Sequence, residues 1–167
     1  TLNNLSGLKK TADSITSQNF KNFEWIIIDG DSTDGTDEFL QSCNTKVVSE
    51  PDAGIYDAMN KGIETVTGNF LLFLNAGDVL PSSNTLENIH NQADQNADFI
   101  YGDALEVYKG KDVYKHARPH EFSMQGMFTH HQSMLYAQQA IGNSRYNLNY
   151  KIAADYDFTL RFLNKSK

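Results

Sequence analysis

Three turns rich in carboxylates and amides each follow an apolar or β-branched run. They are Asp29 after Trp25-Ile26-Ile27-Ile28, Glu50-Pro51-Asp52 after the segment 46–49, and Asn75-Ala76-Gly77-Asp78 after Phe70 to Leu74. In open α/β sheets, ligands bind at the carboxyl ends of strands. Three such groups meeting on one edge could hold a nucleotide and a cation, and hard oxygen donors suit Mg²⁺ or Mn²⁺. Asp, Asn and Gly also favour plain turns and helix caps, so each group taken alone has that second reading. Asp78, in the turn after five apolar residues, stands out most from that background. A further cluster is His130-His131-Gln132-Ser133. Adjacent side chains on an extended segment point opposite ways, so at most one histidine faces a site, and we take His131.

The elements that must position these groups alternate. Leu5, Leu8, Ala12 and Ile15 have helical spacing, with Asn3, Asn4 or Ser6 as cap. An unalternated strand at 25–28 reads as buried on both faces, as in a parallel sheet. A helix near 34–42, a strand at 46–49 and a helical stripe of Ile55, Met59, Ile63 and Val66 follow. A strand at 70–74, a helix at 85–95 and a strand at 99–101 complete the alternation. Short loops between alternating elements predict a three-layer α/β/α sandwich with a mainly parallel sheet. Beyond Gly102, segments 105–108 and 113–115 flank Lys109-Gly110-Lys111-Asp112 as a hairpin, and 156–163 reads as helix. Such sheets ordinarily open with a strand, whereas this sequence opens with a helix. We therefore expect a strand to precede Thr1.

Composition narrows the function classes. The 167 residues fit one domain with a substantial core, and 40% are hydrophobic. Fourteen Lys and Arg against twenty-one Asp and Glu give a net charge of −7, without a basic cluster of the kind that nucleic acid or an anionic membrane selects. No apolar stretch is long enough to span a bilayer. Cys43, the one cysteine, excludes an internal disulfide and a multi-cysteine zinc site, which suits a reducing, cytoplasmic setting. It sits beside Phe39 and Leu40 and reads as core. His90, His116 and His120 read as surface, and Tyr101, Tyr108 and Tyr114 as sheet packing.

The run Trp25-Ile26-Ile27-Ile28-Asp29-Gly30-Asp31-Ser32-Thr33-Asp34-Gly35-Thr36 resembles the nucleotide-sugar signature I-I-V-D-D-G-S-T-D-G-T of family-2 glycosyltransferases with the GT-A fold. Segments 50–62 and Phe73-Leu74-Asn75-Ala76-Gly77-Asp78 resemble the bacterial capsule and exopolysaccharide (colanic-acid-type) transferases of that family. The resemblance runs from Asn3 to Arg161. It implies that Asp29 reads the nucleotide base and that Asp52, Asn60 and Lys61 line the nucleotide. It also implies that Asp78, with Asn75 in the same turn, is the last acid of a D-x-D-type motif holding Mg²⁺ or Mn²⁺ on the pyrophosphate. Asn75 and Gly77 stand where that motif has acids. Asp155, in Ala153-Ala154-Asp155-Tyr156-Asp157, matches the aspartate of the family's E-D motif, the usual general base; Ala154 replaces the glutamate, and Asp157 is the competing carboxylate. His131 is placed as an acceptor contact or a third metal-side ligand.

The expectation is an inverting, metal-dependent transfer of sugar from a nucleotide-diphosphate donor, UDP first, to a saccharide or lipid-linked acceptor in surface polysaccharide synthesis. Residues 1–102 would form the nucleotide-sugar half and 103–167 the acceptor half. The setting would be cytoplasmic, with segments outside this sequence able to dock at the inner face of the membrane. Two rivals remain. A sugar nucleotidyltransferase would need a glycine-rich, basic phosphate loop, which the sequence lacks. A non-catalytic nucleotide-sugar module would suit the thinned D-x-D motif and Ala154.

Overall fold

Helix α1 (Leu5–Thr16) buries Leu8, Ala12 and Ile15 along one face, the stripe its spacing predicts. Of the three candidate caps Asn4 serves: its Oδ1 accepts the Gly7 N–H at 3.1 Å. The computed structural model describes residues 1–165. They fold as two compact units, residues 1–68 with 74–93, and residues 69–73 with those from 94 onward.

In the first unit, β1 (Ile26–Asp29) pairs in parallel with β2 (Lys46–Ser49), setting Asp29 beside Ser49 at their carboxyl ends. Helix α2 (Thr36–Ser42) makes the crossover. Leu8, Ile27 and Leu40 form the core between them, with Trp25, Phe39, Val47 and Cys43 packed against it. Cys43 is thus a core residue as expected, and burial pushes its thiol up from the ordinary value. Helix α3 (Ile55–Thr65) buries Met59 and Ile63 but leaves Ile55 exposed, so the predicted stripe is only half used. Helix α4 (Thr85–Gln92) stops short of residue 95 because Ala93 is extended and Asp94 turns the chain by accepting the Asn96 N–H. Buried Gln18 ties this end together, donating to the Ser14 and Ser82 carbonyls and accepting the Leu86 N–H.

In the second unit, β3 (Phe70–Leu72) and β4 (Phe99–Tyr101) flank β7 (Met134–Ala137), which runs antiparallel to both. The α/β architecture is as expected, and its sheets contain antiparallel as well as parallel pairs. Strands β5 (Ala104–Tyr108) and β6 (Lys111–Lys115) form the expected hairpin with a tighter connection. Lys109 and Gly110 alone turn the chain, both at positive φ, the geometry that matches strand twist in two-residue hairpins. Tyr101 packs edge-on to Phe128, whereas Tyr108 and Tyr114 stand exposed on the hairpin, so sheet packing holds for one tyrosine of the three. Residues His131–Ser133 form a 3₁₀ turn instead of an extended segment. After α5 (Gln138–Ile141), helix α6 (Ala154–Leu163) lays Phe158 and Phe162 against Tyr136, with ring centroids 5.4 and 5.1 Å away. Among the described residues no helix is long and apolar enough to cross a membrane.

Candidate functional site

At the end of β1 the Asp29 side chain is 1% exposed and fully engaged. Its Oδ1 accepts the Ser32 hydroxyl at 2.6 Å; its Oδ2 accepts the Ser32 N–H at 3.1 Å and the Ser49 hydroxyl at 2.8 Å. Burial by itself would raise this carboxyl, but the hydrogen bonds from Ser32 and Ser49 outweigh it and hold the group below the ordinary carboxylate value. Asp29 therefore ties the loop after β1 to the end of β2. Asp34 fastens the same loop from the other side, accepting the Thr36 hydroxyl at 2.6 Å and the Leu5 N–H at 2.9 Å.

The Asp52 carboxylate lies against Gly30: a Cβ there would come within 2.5 Å of Asp52 Oδ2. A side chain at residue 30 would therefore have to displace the Asp52 carboxylate. Asp52 Oδ1 accepts the Gly54 N–H at 2.9 Å, and Asp57 accepts that of Ala53, so the turn is fixed by its own carboxylates. Lys61 does not extend into solvent. Its Nζ donates to the Pro51 carbonyl at 2.7 Å and pairs with Glu50 at 3.0 Å, stapling α3 to the turn. Asn60 sits half-buried on the same helix.

The turn 75–78 is gripped by α1. The Thr11 hydroxyl donates to the Asp78 carbonyl at 2.7 Å and accepts the Gly77 N–H at 3.0 Å, while Asn4 Nδ2 donates to the Ala76 carbonyl. Half-buried Asp78 accepts the Asn75 N–H on Oδ2 at 3.2 Å. Among the described residues no three His, Cys, Asp or Glu side chains are grouped to hold a metal. A turn with one carboxylate suits a divalent cation whose other oxygens come from a diphosphate and water, and does not suit one caged by protein alone. Thr11, Asn4, Ser32 and Ser49 were missed in the sequence, since nothing local marks a hydroxyl that reaches a distant turn.

In the second unit, Asp155 and His131 come together, with His131 Nδ1 3.6 Å from Asp155 Oδ2 and side-chain exposures of 15% and 22%. Asp155 lies in the first turn of α6, where the helix dipole favours a negative charge. The turn is set by Ala153 in a left-handed conformation at φ 64°, a strained state for alanine. Ala154 is 0% exposed. A glutamate here would bury a charge in the core. Asp157 is engaged elsewhere: its Oδ2 takes Arg161 Nη2 at 2.7 Å and Nε at 2.9 Å. Beneath Asp155, the Tyr136 hydroxyl hydrogen-bonds Thr159 at 2.8 Å, with its pKa pushed up by burial. Asp155 and His131 open onto a cleft of about 370 Å³ that Lys115, His116, Arg118 and His130 also line. His90, His116 and His120 are exposed as expected.

The geometry is one of strand-end carboxylate turns in one unit and an Asp-His pair beside a cleft in the other. The chain is 32% identical to a PGL/p-HBAD biosynthesis glycosyltransferase of Mycobacterium tuberculosis, over 96% of this chain and 66% of that protein. It is 30% identical to an uncharacterized glycosyltransferase of the same organism, over 95% of the chain and 64% of the relative. The chain thus spans about two thirds of the length of these curated relatives. Among solved structures, S. aureus TarS in complex with UDP superposes with a TM-score of 0.77 at 19% identity, covering 99% of this chain and 53% of that one. The Pyrobaculum calidifontis mannosyltransferase PcManGT, in complex with GDP-Man and Mn²⁺, gives 0.72 at 18% identity, covering 97% and 49%. The fold is that of the GT-A glycosyltransferases. With the glycosyl transferase family 2 profile matching residues 1–155, the chain belongs to that family.

Proposed function

We propose that this domain transfers a sugar, with inversion, from a nucleotide-diphosphate donor to a saccharide or lipid-linked acceptor in surface polysaccharide synthesis. The observation that carries the reading is Asp155, a carboxylate in the first turn of α6 that lines a cleft beside His131. Asp155 takes the proton of the acceptor hydroxyl, the freed oxygen pair forms the bond to the anomeric carbon, and the anomeric C–O bond breaks with its electrons leaving on the nucleotide diphosphate. His131 orients the carboxylate. The first unit serves the donor: Asp52 and the Asn60–Lys61 segment line the nucleotide, and Asp29 orders the loop after β1 that the base meets. Asn75 and Asp78 form the turn that would hold Mg²⁺ or Mn²⁺, which when bound neutralises charge on the leaving diphosphate. TarS in complex with UDP-GlcNAc supports a UDP donor.

A thermal-shift and calorimetric screen of UDP-, GDP-, dTDP- and CMP-sugars with Mn²⁺ tests this, because a ligand of the folded state raises its stability by mass action. A UDP-sugar is expected to stabilise most, and Asp78→Ala to remove the Mn²⁺-dependent part. No response to any nucleotide sugar overturns the reading. Donor affinity with neither transfer nor donor hydrolysis identifies a non-catalytic nucleotide-sugar module instead.

A further inference from the structure

The cleft beside Asp155 gathers basic side chains in a chain that is acidic as a whole. The chain carries a net charge of −7, yet the cleft collects Lys115, Arg118 and the imidazoles of His116, His130 and His131 around one carboxylate. Part of this charge is already balanced: Lys115 pairs with Glu106 at 3.2 Å and His116 with Asp103 at 3.0 Å. Arg118 is different. Its guanidinium donates to the Met127 carbonyl at 2.9 Å and lies over the Phe122 ring at 6.0 Å, with no carboxylate paired to it among the described residues. A guanidinium has five donors and binds phosphate or carboxylate through two parallel bonds, so most of its capacity is unspent.

The rest of the lining is poorly suited to a neutral sugar. The Thr129 hydroxyl is already donated to the Gly102 carbonyl at 2.7 Å, and buried Phe128 gives its ring to Phe99 and Tyr101. Among the described residues that line the cleft there is no amide side chain, and the one phenyl ring, Phe128, is buried. What is left is the Arg118 guanidinium, with imidazoles able to donate hydrogen bonds, beside the Asp155 carboxylate.

We propose that the cleft takes an anionic acceptor, a molecule carrying a phosphate or carboxylate held by Arg118 with support from Lys115, His116 and His130. Its neutral hydroxyl then meets Asp155. This assignment rests on the transferase reading for the role of the bound molecule, and on the cleft alone for its charge. Arg118 offsets the repulsion that an anion would otherwise meet from Asp155.

The test uses imidazole NMR signals of His116 and His130 in the whole chain, titrated with glycerol 3-phosphate, glucuronate and neutral glycerol. The charged probes should shift these signals at concentrations where glycerol does not, and the tighter of the two tells phosphate from carboxylate. Raising the salt from 50 to 500 mM should weaken them (about a threefold shorter screening length). Arg118→Gln should lower their affinity roughly 10-fold or more, with Arg118→Lys keeping part of it. Equal binding of glycerol, no binding of either anion, or unchanged affinity in a folded Arg118→Gln overturns the proposal. Nucleotide-sugar binding is measured separately by calorimetry. Anion binding without any nucleotide-sugar binding would overturn the transferase reading and leave the anion site standing.

Discussion

At the carboxyl end of β1, Asp29 gives both oxygens to Ser32 and Ser49, and the Asp52 turn, Lys61 and Asp34 are likewise engaged inside the first unit. In the second unit, Asp155 lines a cleft with His131 Nδ1 3.6 Å from its Oδ2, and Arg118 has no carboxylate partner among the described residues. Both regions are dense in ionisable side chains, yet their hydrogen-bond capacity is spent differently. The first uses short polar side chains to freeze loops, presenting backbone and a preset shape. The second rests on buried Tyr136, Phe158 and Phe162 and lines a cleft with Asp155, His131 and Arg118, while Lys115 and His116 at the same cleft are paired with Glu106 and Asp103. A rich acidic motif therefore does not by itself mark a reactive carboxylate: Asp29, inside the richest one, is spent on holding its own loop.

The largest expected effect breaks the comparison at Asp155. Asp155→Asn should reduce transfer about 10²- to 10⁴-fold, the ordinary worth of a general base, with donor affinity unchanged by calorimetry. Transfer within a few fold of wild type would remove Asp155 from the chemistry.

Asp29→Asn should act on stability first. It removes hydrogen bonds to a charged group in a buried setting, each worth about 1.5–3 kcal/mol, read as a lower midpoint in urea unfolding. The pH dependence follows from the lowered carboxyl. The folded state binds the proton less readily than the unfolded chain, so the contribution is complete above the unfolded value, near pH 4, and is lost as pH falls through the folded value. The stability difference between wild type and Asp29→Asn should therefore shrink on acidification below about pH 4. A difference that persists there would mean that shape, not charge, is what Asp29 supplies.

Thr11→Val, close in volume, takes away the grip on the 75–78 turn. It should cost about 1–3 kcal/mol through the unsatisfied Gly77 N–H and weaken Mn²⁺-dependent donor binding as the turn loosens. Stability loss with unchanged donor binding would separate that turn from the donor site. The smallest effect is expected at Asp157. Its pair with Arg161 is a half-exposed i,i+4 contact, so Asp157→Asn should cost about 0.3–0.5 kcal/mol and leave transfer nearly intact. A large loss of transfer would exchange the roles of the two carboxylates.

The amino-acid sequence determined whatever depends on near neighbours. The Leu8, Ala12 and Ile15 stripe, the β-branched run into Asp29, the limits of β2 and β4 and the presence of a hairpin between 105 and 115 all follow from periodicity and turn chemistry within a few residues. So do the family signatures at 25–36, 50–62 and 73–78. The tertiary structure alone decided how those signatures are used. It placed β7 between β3 and β4, against the expectation of mostly parallel pairing, because a strand's partners are chosen by which edge its crossover can reach. It set Ser49 on Asp29 across 20 residues and Thr11 on Asp78 across 67. It also gathered Arg118, His131 and Asp155, from three separate segments, around one cleft. Hydrogen-bond partners and cleft walls are properties of packing at long range, and a local pattern of residue types carries no record of them.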